Sequence, residues 1–584
     1  MSIDPGDALT RVRESPEASG KRQRTHPPGA VAWGVEPAAL SPGAALRWFS
    51  VAIVFALVAY AIAFQLKPHV VQRVPSELSP EALEARAHES LRYLGIGVGA
   101  HSARGLDYDR PILRHVVQRE SGRERWENVR AGQPAAVFFW HRESAQPLLA
   151  TTRQGVVTES DPPLTEPDAV TLRLDTAGRL VFLQRIGPRD MLPLLAQREP
   201  DWSRLFREAG LEPSRFRRIE ALFVPPVFAD SRASWMGYYA ARPEIQVRID
   251  AAALHGRPVY FEIVGPWTLE PLRGFDLIGW ELAAMLLLVA GLVLARRNLR
   301  LGRGDRRGAL RLGGACFVLA MLQWLLQADH LSEPLMEWSL LQHGAAWALF
   351  WSGSVALGYV AIEPYLRGYW PRALDSWARL LADGPRRPEV ARDVLIGLAA
   401  GYVLLVLALL VLVAPTTFGA DTLRLASAAE PPAFVGWRRP LAAMCEMARL
   451  ALHGGLAAMT LLLLLRFALR RTLMLALAFV VLTTLLGTVL LQLWLGDGHR
   501  LDPLLIGAAQ LLLFVLMTRV GLLATIASLV PVAIGFTCPP LGSDSRAWYA
   551  PSLLLPIAAQ AGLLGYAWLA ALLDQTALSD EALR

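Results

Sequence analysis

The sequence has almost no lysine and little cysteine. Lys21 and Lys67 are its only lysines, and its three cysteines are Cys316, Cys445 and Cys538. A kinase or P-loop enzyme needs a lysine in its folded catalytic region, but Lys21 falls in a polar tail and Lys67 at the end of an apolar run. We therefore exclude a nucleotide-driven enzyme. No cysteine falls between residues 67 and 275, which excludes a disulfide framework there.

Long uncharged apolar runs are what the sequence has in excess. Hydrophobic residues make up 53% of the chain, and its mean hydropathy is +0.33. An uncharged run of about 18 residues or more crosses the bilayer core as a helix. These runs predict an α-helical polytopic membrane bundle of about ten spans, with the lipid bilayer as its main partner. The net charge of +7 fits basic cytoplasmic loops and needs no nucleic acid.

Arginine-rich flanks predict the orientation of the first two spans. Basic residues precede the span at residues 46–66, and seven arginines between residues 296 and 311 follow the span at 276–295. Both flanks are expected to be cytoplasmic, so residues 67–275 lie outside. A cleaved signal peptide is the alternative for the first span, but the long preceding segment favours an uncleaved anchor.

Alternation of the remaining spans predicts that both termini lie inside. The apolar stretch at 501–534 is too long for one span, so we divide it at Thr518–Arg519; a re-entrant segment is the other interpretation. The predicted organisation is a disordered cytoplasmic tail (1–45), a first transmembrane helix (46–66), an extracytoplasmic domain (67–275), a nine-helix transmembrane domain (276–573) and a cytoplasmic tail (574–584).

The segment between the first two spans contains a weak internal repeat. Gly178–Pro188 and Gly256–Pro266 share Gly, Arg, Val, Gly and Pro positions, and each follows a strand-like segment containing Arg-x-Asp. Alternation, then Gly, then a second apolar stretch predicts a β-hairpin. We therefore predict an extracytoplasmic α+β domain of two tandem units. Its aromatic residues are expected to form the core, with a ligand-binding role as the alternative.

Several segments resemble a bacterial polytopic membrane module that often follows a serine/threonine protein kinase domain. The segments that carry the resemblance are Pro134–Ser144 (PAAVFFWHRES), Gly256–Trp267 (GRPVYFEIVGPW), Glu363–Arg367 with Trp370–Pro371, Ser376–Leu381, Arg519–Leu523 and Trp548–Ala550. The resemblance implies a receptor-like membrane module, located in a bacterial cytoplasmic (inner) membrane. This chain departs from the kinase-bearing members, because it has no His-Arg-Asp or Asp-Phe-Gly sequence.

The sequence also lacks the motifs of two other enzyme classes. We find no zinc-type histidine spacing and no GxSxG sequence. We therefore predict no catalytic, cofactor-binding or metal-binding residues and no cofactor.

Two polar groups remain as candidate functional residues. Glu446, Arg449 and His453 share one helix face, where they could relay protons or hold an anionic headgroup; a wet position at the outer end of the span is the alternative. The second group belongs to an amphipathic cytoplasmic loop, expected to be either an interfacial anchor or a partner-docking surface. It comprises Glu363, Pro364, Arg367, Trp370, Trp377 and Arg379.

These observations favour an integral membrane sensor or scaffold without a catalytic output domain. The extracytoplasmic domain would bind an envelope ligand or a protein partner. The alternative function is a transporter or a lipid-handling membrane enzyme, although the spans show no inverted repeat.

Overall fold

The computed structural model describes most of the chain. The described residues are 40–66, 70–74, 78–97, 99–119, 132–151, 155–188, 199–240, 242–268, 277–417, 436–495, 498–537 and 548–582. Residues 1–39 of the predicted tail, and with them Lys21, lie outside this set, as do Lys67 and Cys538.

The described helices fall into two groups. Helices of the sheet-containing region are α2 (Pro80–Tyr93), α3 (Arg110–Arg119) and α4 (Ser203–Glu208). The helices of the bundle are α1 (Pro42–Leu66), α5 (Leu277–Arg300), α6 (Arg306–Gln327), α7 (Pro334–Tyr369), α8 (Asp375–Asp383), α9 (Pro388–Thr417), α10 (Arg438–Ala468), α11 (Thr472–Leu495), α12 (Asp502–Arg519), α13 (Leu522–Thr537) and α14 (Ala550–Ala582).

Eight helices of the described residues are long and apolar enough to cross a membrane: α1, α6, α7, α9, α10, α11, α12 and α14. The chain is therefore mostly helical and fits a multi-pass membrane protein with an added α+β region, as the sequence predicts. Helix α13 is apolar but has only 16 residues. Helix α14 continues to Ala582, past the predicted end of the last span at residue 573.

A helix break falls at the predicted division of residues 501–534. Helix α12 ends at Arg519 and α13 begins at Leu522. Between them Gly521 has a φ of +129°, and a Cβ there would lie 2.5 Å from the carbonyl oxygen of Ala373. Only glycine combines this backbone angle with so close an approach.

All eight described strands form one antiparallel sheet. They are β1 (His101–Tyr108), β2 (Val137–Ser144), β3 (Val170–Asp175), β4 (Leu180–Arg185), β5 (Phe216–Ile219), β6 (Ser231–Tyr238), β7 (Gln246–Leu254) and β8 (Arg257–Val264). The strand order is β1-β2-β3-β4-β8-β7-β6-β5. Pairing of β4 with β8, with Leu183 opposite Phe261, makes the sheet continuous. We call residues 70–268 the sheet domain.

The two predicted hairpins are present as β3–β4 and β7–β8. In the first turn, Asp175 accepts hydrogen bonds from the N–H groups of Ala177 and Arg179. In the second turn, His255 and Gly256 have φ values of 51° and 76°. Two consecutive positive φ angles are typical of the tight turn that matches strand twist.

Helices α2 and α4 are joined through a buried carboxylate on the sheet domain. Glu208 of α4 accepts hydrogen bonds from Ser90 at 2.6 Å and from Arg86 at 2.9 Å, both on α2. Leu83 and Leu91 of α2 pack into the same core as Phe139 of β2. Because a buried carboxylate needs hydrogen-bond donors, this contact fixes how the two helices lie on the sheet.

In the bundle, two glycines of α9 let the backbone of α13 approach closely. A Cβ at Gly397 would lie 2.5 Å from the carbonyl oxygen of Ala524, and one at Gly401 would lie 2.5 Å from that of Ser528. Small residues four apart are a common device for close packing between membrane helices. The short helix α13 is therefore held by backbone-to-backbone contact with α9.

Helix α7 runs through Pro364, and a neighbouring helix compensates for the missing N–H. Proline cannot donate to the carbonyl four residues earlier, which belongs to Val360. The Asn298 side chain of α5 donates instead to the carbonyl oxygens of Val360 and Ala361, each at 3.0 Å. Asn298 is 1% exposed, so these carbonyls are paired by protein groups.

Candidate ligand cavity between the sheet domain and the bundle

Asp329, in the loop between α6 and α7, joins the sheet domain to the bundle. Its Oδ2 accepts a hydrogen bond from the N–H of Val157 at 2.9 Å, and its own N–H donates to the carbonyl of Gly155 at 2.9 Å. Its Oδ1 lies 3.3 Å from Nη2 of Arg439 at the start of α10. One residue thus connects the sheet domain with three bundle helices.

The environment of Asp329 affects its protonation in two opposing ways. Enclosure by protein raises the pKa of the Asp329 carboxyl above its usual range. The Arg439 guanidinium and the Val157 N–H act in the opposite direction because they favour the charged form. The charged form of Asp329 is therefore stabilised by two groups, the Arg439 guanidinium and the Val157 N–H.

Apolar contacts lie next to this polar one. Gly155 has a φ of +81°, and a Cβ there would lie 2.7 Å from Cδ1 of Leu340 on α7. Leu149 of the sheet domain packs against a cluster formed by Trp324, Ala328 and Leu340. The sheet domain, the end of α6 and the start of α7 therefore form a packed interface.

A cavity of about 450 Å³ lies at this interface. That volume falls within the range of about 300–1,000 Å³ that small-molecule sites occupy. The sheet domain contributes Arg104, Arg110 and Trp140 to its wall, and the bundle contributes Gln327 and Arg439. A molecule bound there would touch both parts of the protein.

Most charged groups around the cavity already have partners. Arg104 pairs with Glu84, and Arg439 pairs with Asp329. Arg110 is exposed at the first position of α3 and has no ion pair among the described residues. Arg110 is therefore the cation best placed to receive an anionic group of a ligand.

The predicted polar group of α10 gathers around a tryptophan of α7. Arg449 is 3% exposed, and its guanidinium carbon lies 4.6 Å from the ring centroid of Trp351. Its Nη2 lies 3.8 Å from Oε1 of Glu446. The His453 ring meets the Trp351 ring edge-on with centroids 4.9 Å apart, and its Nδ1 lies 2.7 Å from the Arg449 carbonyl oxygen.

This polar group lies on the same helices as the interface. Arg439 and Arg449 are ten residues apart on α10, a rise of about 15 Å. Trp351 belongs to α7, which also carries Leu340. Interface and polar group are therefore connected by continuous helices.

The second predicted group, from Glu363 to Arg379, is packed against the bundle. Trp370 and Trp377 are 7% and 4% exposed and belong to the bundle core, whereas the sequence predicts a helix lying in the lipid interface. Trp377 of α8 and Leu374, the residue before α8, are buried among the bundle helices. The interfacial-anchor and partner-docking interpretations of this group both remain predictions.

The charged members of this motif pair with neighbours. Glu363, 4% exposed, pairs with Arg367 one turn later on α7. Arg379 of α8 pairs with Glu389 of α9. Pro364 has no N–H, and the Asn298 side chain donates in its place to the Val360 carbonyl. These contacts hold the end of α7 in place.

Sequence reasoning missed several residues of these sites. Asp329 appears in the sequence only as part of an acidic loop, and Asn298 falls among arginines. Trp351 gives no signal among many apolar aromatics. Their roles depend on partners 62 to 172 residues away, which no local pattern reports.

Comparison with protein-family models, with curated proteins and with solved structures finds no match to the chain.

Proposed function

We propose that the chain is an integral membrane sensor whose ligand binds between the sheet domain and the bundle. The sheet domain lies outside a bacterial cytoplasmic membrane, the chain crosses ten times, and both termini are cytoplasmic. The arginine-rich loops support this orientation. The observation that carries the proposal is the cavity, whose wall is shared by the sheet domain and by α6 and α10.

A shared wall gives a ligand a means of acting on the bundle. A ligand shifts a conformational equilibrium only by binding two states with different affinity. A molecule that contacts both Arg110 and Arg439 binds most tightly when the two parts are held at one distance. Asp329 would then pass that restraint to α6, α7 and α10.

The sheet domain itself is proposed to be two tandem units, at about residues 79–188 and 189–267. The strand order supports this, because the first four strands and the last four run outward from the central β4–β8 pair. One helix from each half, α2 and α4, is joined to the other by the hydrogen bond between Ser90 and Glu208. Output would pass to a separate protein, as the resemblance to kinase-associated modules suggests.

The test uses the full chain purified in detergent and a fractionated extract of bacterial envelope. Some fraction should raise the melting temperature of the wild type, and Arg110→Glu should abolish this shift because it reverses the available cation. Arg114→Glu, on the same helix but outside the cavity wall, is the matched control and should retain the shift. If no fraction stabilises the wild type, or if both variants respond equally, this role for the cavity is wrong.

The buried arginine of α10 favours transport or lipid handling as a second candidate. A charge within a membrane helix is costly and commonly functional, and Arg449 lies against Trp351. In this case Glu446→Gln and His453→Ala should abolish a flux or lipid phenotype at normal expression. An unchanged phenotype in both variants would remove these residues from such a role.

A further inference from the structure

Two histidines and one glutamate that are distant in sequence meet on the α2-facing side of β2. His141 and Glu143 are two residues apart on the strand, so both side chains leave the same face. Their side chains are 0% and 1% exposed, and α2 covers them with His88, which is 34% exposed.

The ligating atoms converge on one point. Nε2 of His88 lies 3.2 Å from Oε1 of Glu143, and Nε2 of His141 lies 2.9 Å from the same oxygen. All three potential ligand atoms lie within 4.8 Å of one another. In a tetrahedral zinc site with bonds of about 2.0–2.1 Å, ligand atoms are about 3.3 Å apart. The two nitrogen–oxygen distances are therefore close to the spacing in a zinc site.

We propose that His88, His141 and Glu143 bind a zinc ion. Two neutral imidazoles and one carboxylate form a common three-residue ligand set for zinc, with the fourth position open. His88 is the exposed member, so the open position faces solvent and a water or a donor atom of another molecule completes it. Mg²⁺ and Ca²⁺ prefer all-oxygen sites and are excluded by the histidines.

The surroundings hold the glutamate in the orientation that such a site needs. Its second oxygen, Oε2, accepts a hydrogen bond from the N–H of Gly99 at 2.8 Å. A Cβ at Gly99 would lie 2.6 Å from the backbone nitrogen of Ser144, so only glycine lets the loop after α2 come this close. Hydrogen bonds of this kind orient metal ligands in many sites.

The arginine between the two strand ligands is directed away from the proposed site. Arg142, between His141 and Glu143, extends to the opposite face of the strand. There it donates to the carbonyl oxygens of Thr158 at 2.9 Å and Pro162 at 2.6 Å. The alternating pattern of β2 thus separates the arginine from the proposed site.

The test is zinc titration of the full chain in detergent, stripped with a chelator and purified without a histidine tag. We expect one tightly bound zinc per chain, a rise in melting temperature on zinc addition, and visible absorption when Co²⁺ replaces Zn²⁺. His88→Ala should weaken zinc binding by roughly 100-fold or more. Even the loss of a residue that only hydrogen-bonds to a metal ligand lowers metal affinity by about 10–100-fold. Glu143→Gln should do the same.

His255→Ala is the matched control. His255 lies in the same domain with one carboxylate neighbour, Asp230, at 3.6 Å, and this variant should bind zinc like the wild type. Equal zinc affinity in the wild type and in His88→Ala overturns the proposal, as does a wild type that binds no zinc. Should the buried Glu143 variant fail to fold, His88→Ala decides alone, because its side chain is on the surface of α2.

Discussion

Replacement of Asn298 tests how the bundle tolerates a proline within α7. Asn298→Ala removes two hydrogen bonds of 3.0 Å to buried carbonyl oxygens. Hydrogen bonds between membrane helices contribute about 0.6 kcal/mol on average and up to about 1.7. We therefore expect a loss of about 1–3 kcal/mol in the free energy of unfolding, measured by denaturant titration in detergent.

A second substitution makes this prediction specific. Pro364→Ala restores an N–H that can donate to the Val360 carbonyl, so Asn298→Ala should cost less in that background. The difference between the two costs is the coupling energy of a double-mutant cycle, and we expect about 0.6–1.7 kcal/mol. If Asn298→Ala costs the same with and without Pro364, the proposed compensation is wrong.

Two further predictions concern the interface and helix packing. Asp329→Ala should lower the melting temperature of the full chain, because it leaves the buried Val157 N–H unpaired at a cost of about 1–3 kcal/mol; Asp329→Asn keeps an acceptor and should lower it less. Gly397→Leu should destabilise the bundle by about 1–3 kcal/mol or more through overpacking against Ala524. The control Gly358→Leu should cost little, because no atom lies within 4 Å of a Cβ at that position. Equal losses of stability for the two variants would refute the packing argument.

Local patterns predicted the parts of the fold that local physics determines. Uncharged runs predicted the helices because a helix satisfies its own backbone groups in lipid. The hairpins at Gly178 and Gly256 were predicted because their turns need glycine and their strands alternate. The break near Arg519 followed from a run too long for one span.

The candidate sites were harder to predict because they depend on long-range contacts. Glu446, Arg449 and His453 were found since helix periodicity places them on one face. Their partner Trp351, and the pairing of Asp329 with Val157, come from different elements, and no spacing indicates them. The cluster of His88, His141 and Glu143 was missed for the same reason, since His88 lies on a helix and His141 on a strand.

Docking of the sheet domain on the bundle is measured most directly by disulfide cross-linking in native membranes. Leu149→Cys with Leu340→Cys, in a chain whose own cysteines are replaced, should cross-link rapidly because both side chains belong to one packed cluster. Leu222→Cys, at a position that is 82% exposed, paired with Leu340→Cys, should not cross-link. Equal cross-linking of the two pairs, or none in the first, would contradict a docked domain and the cavity it encloses.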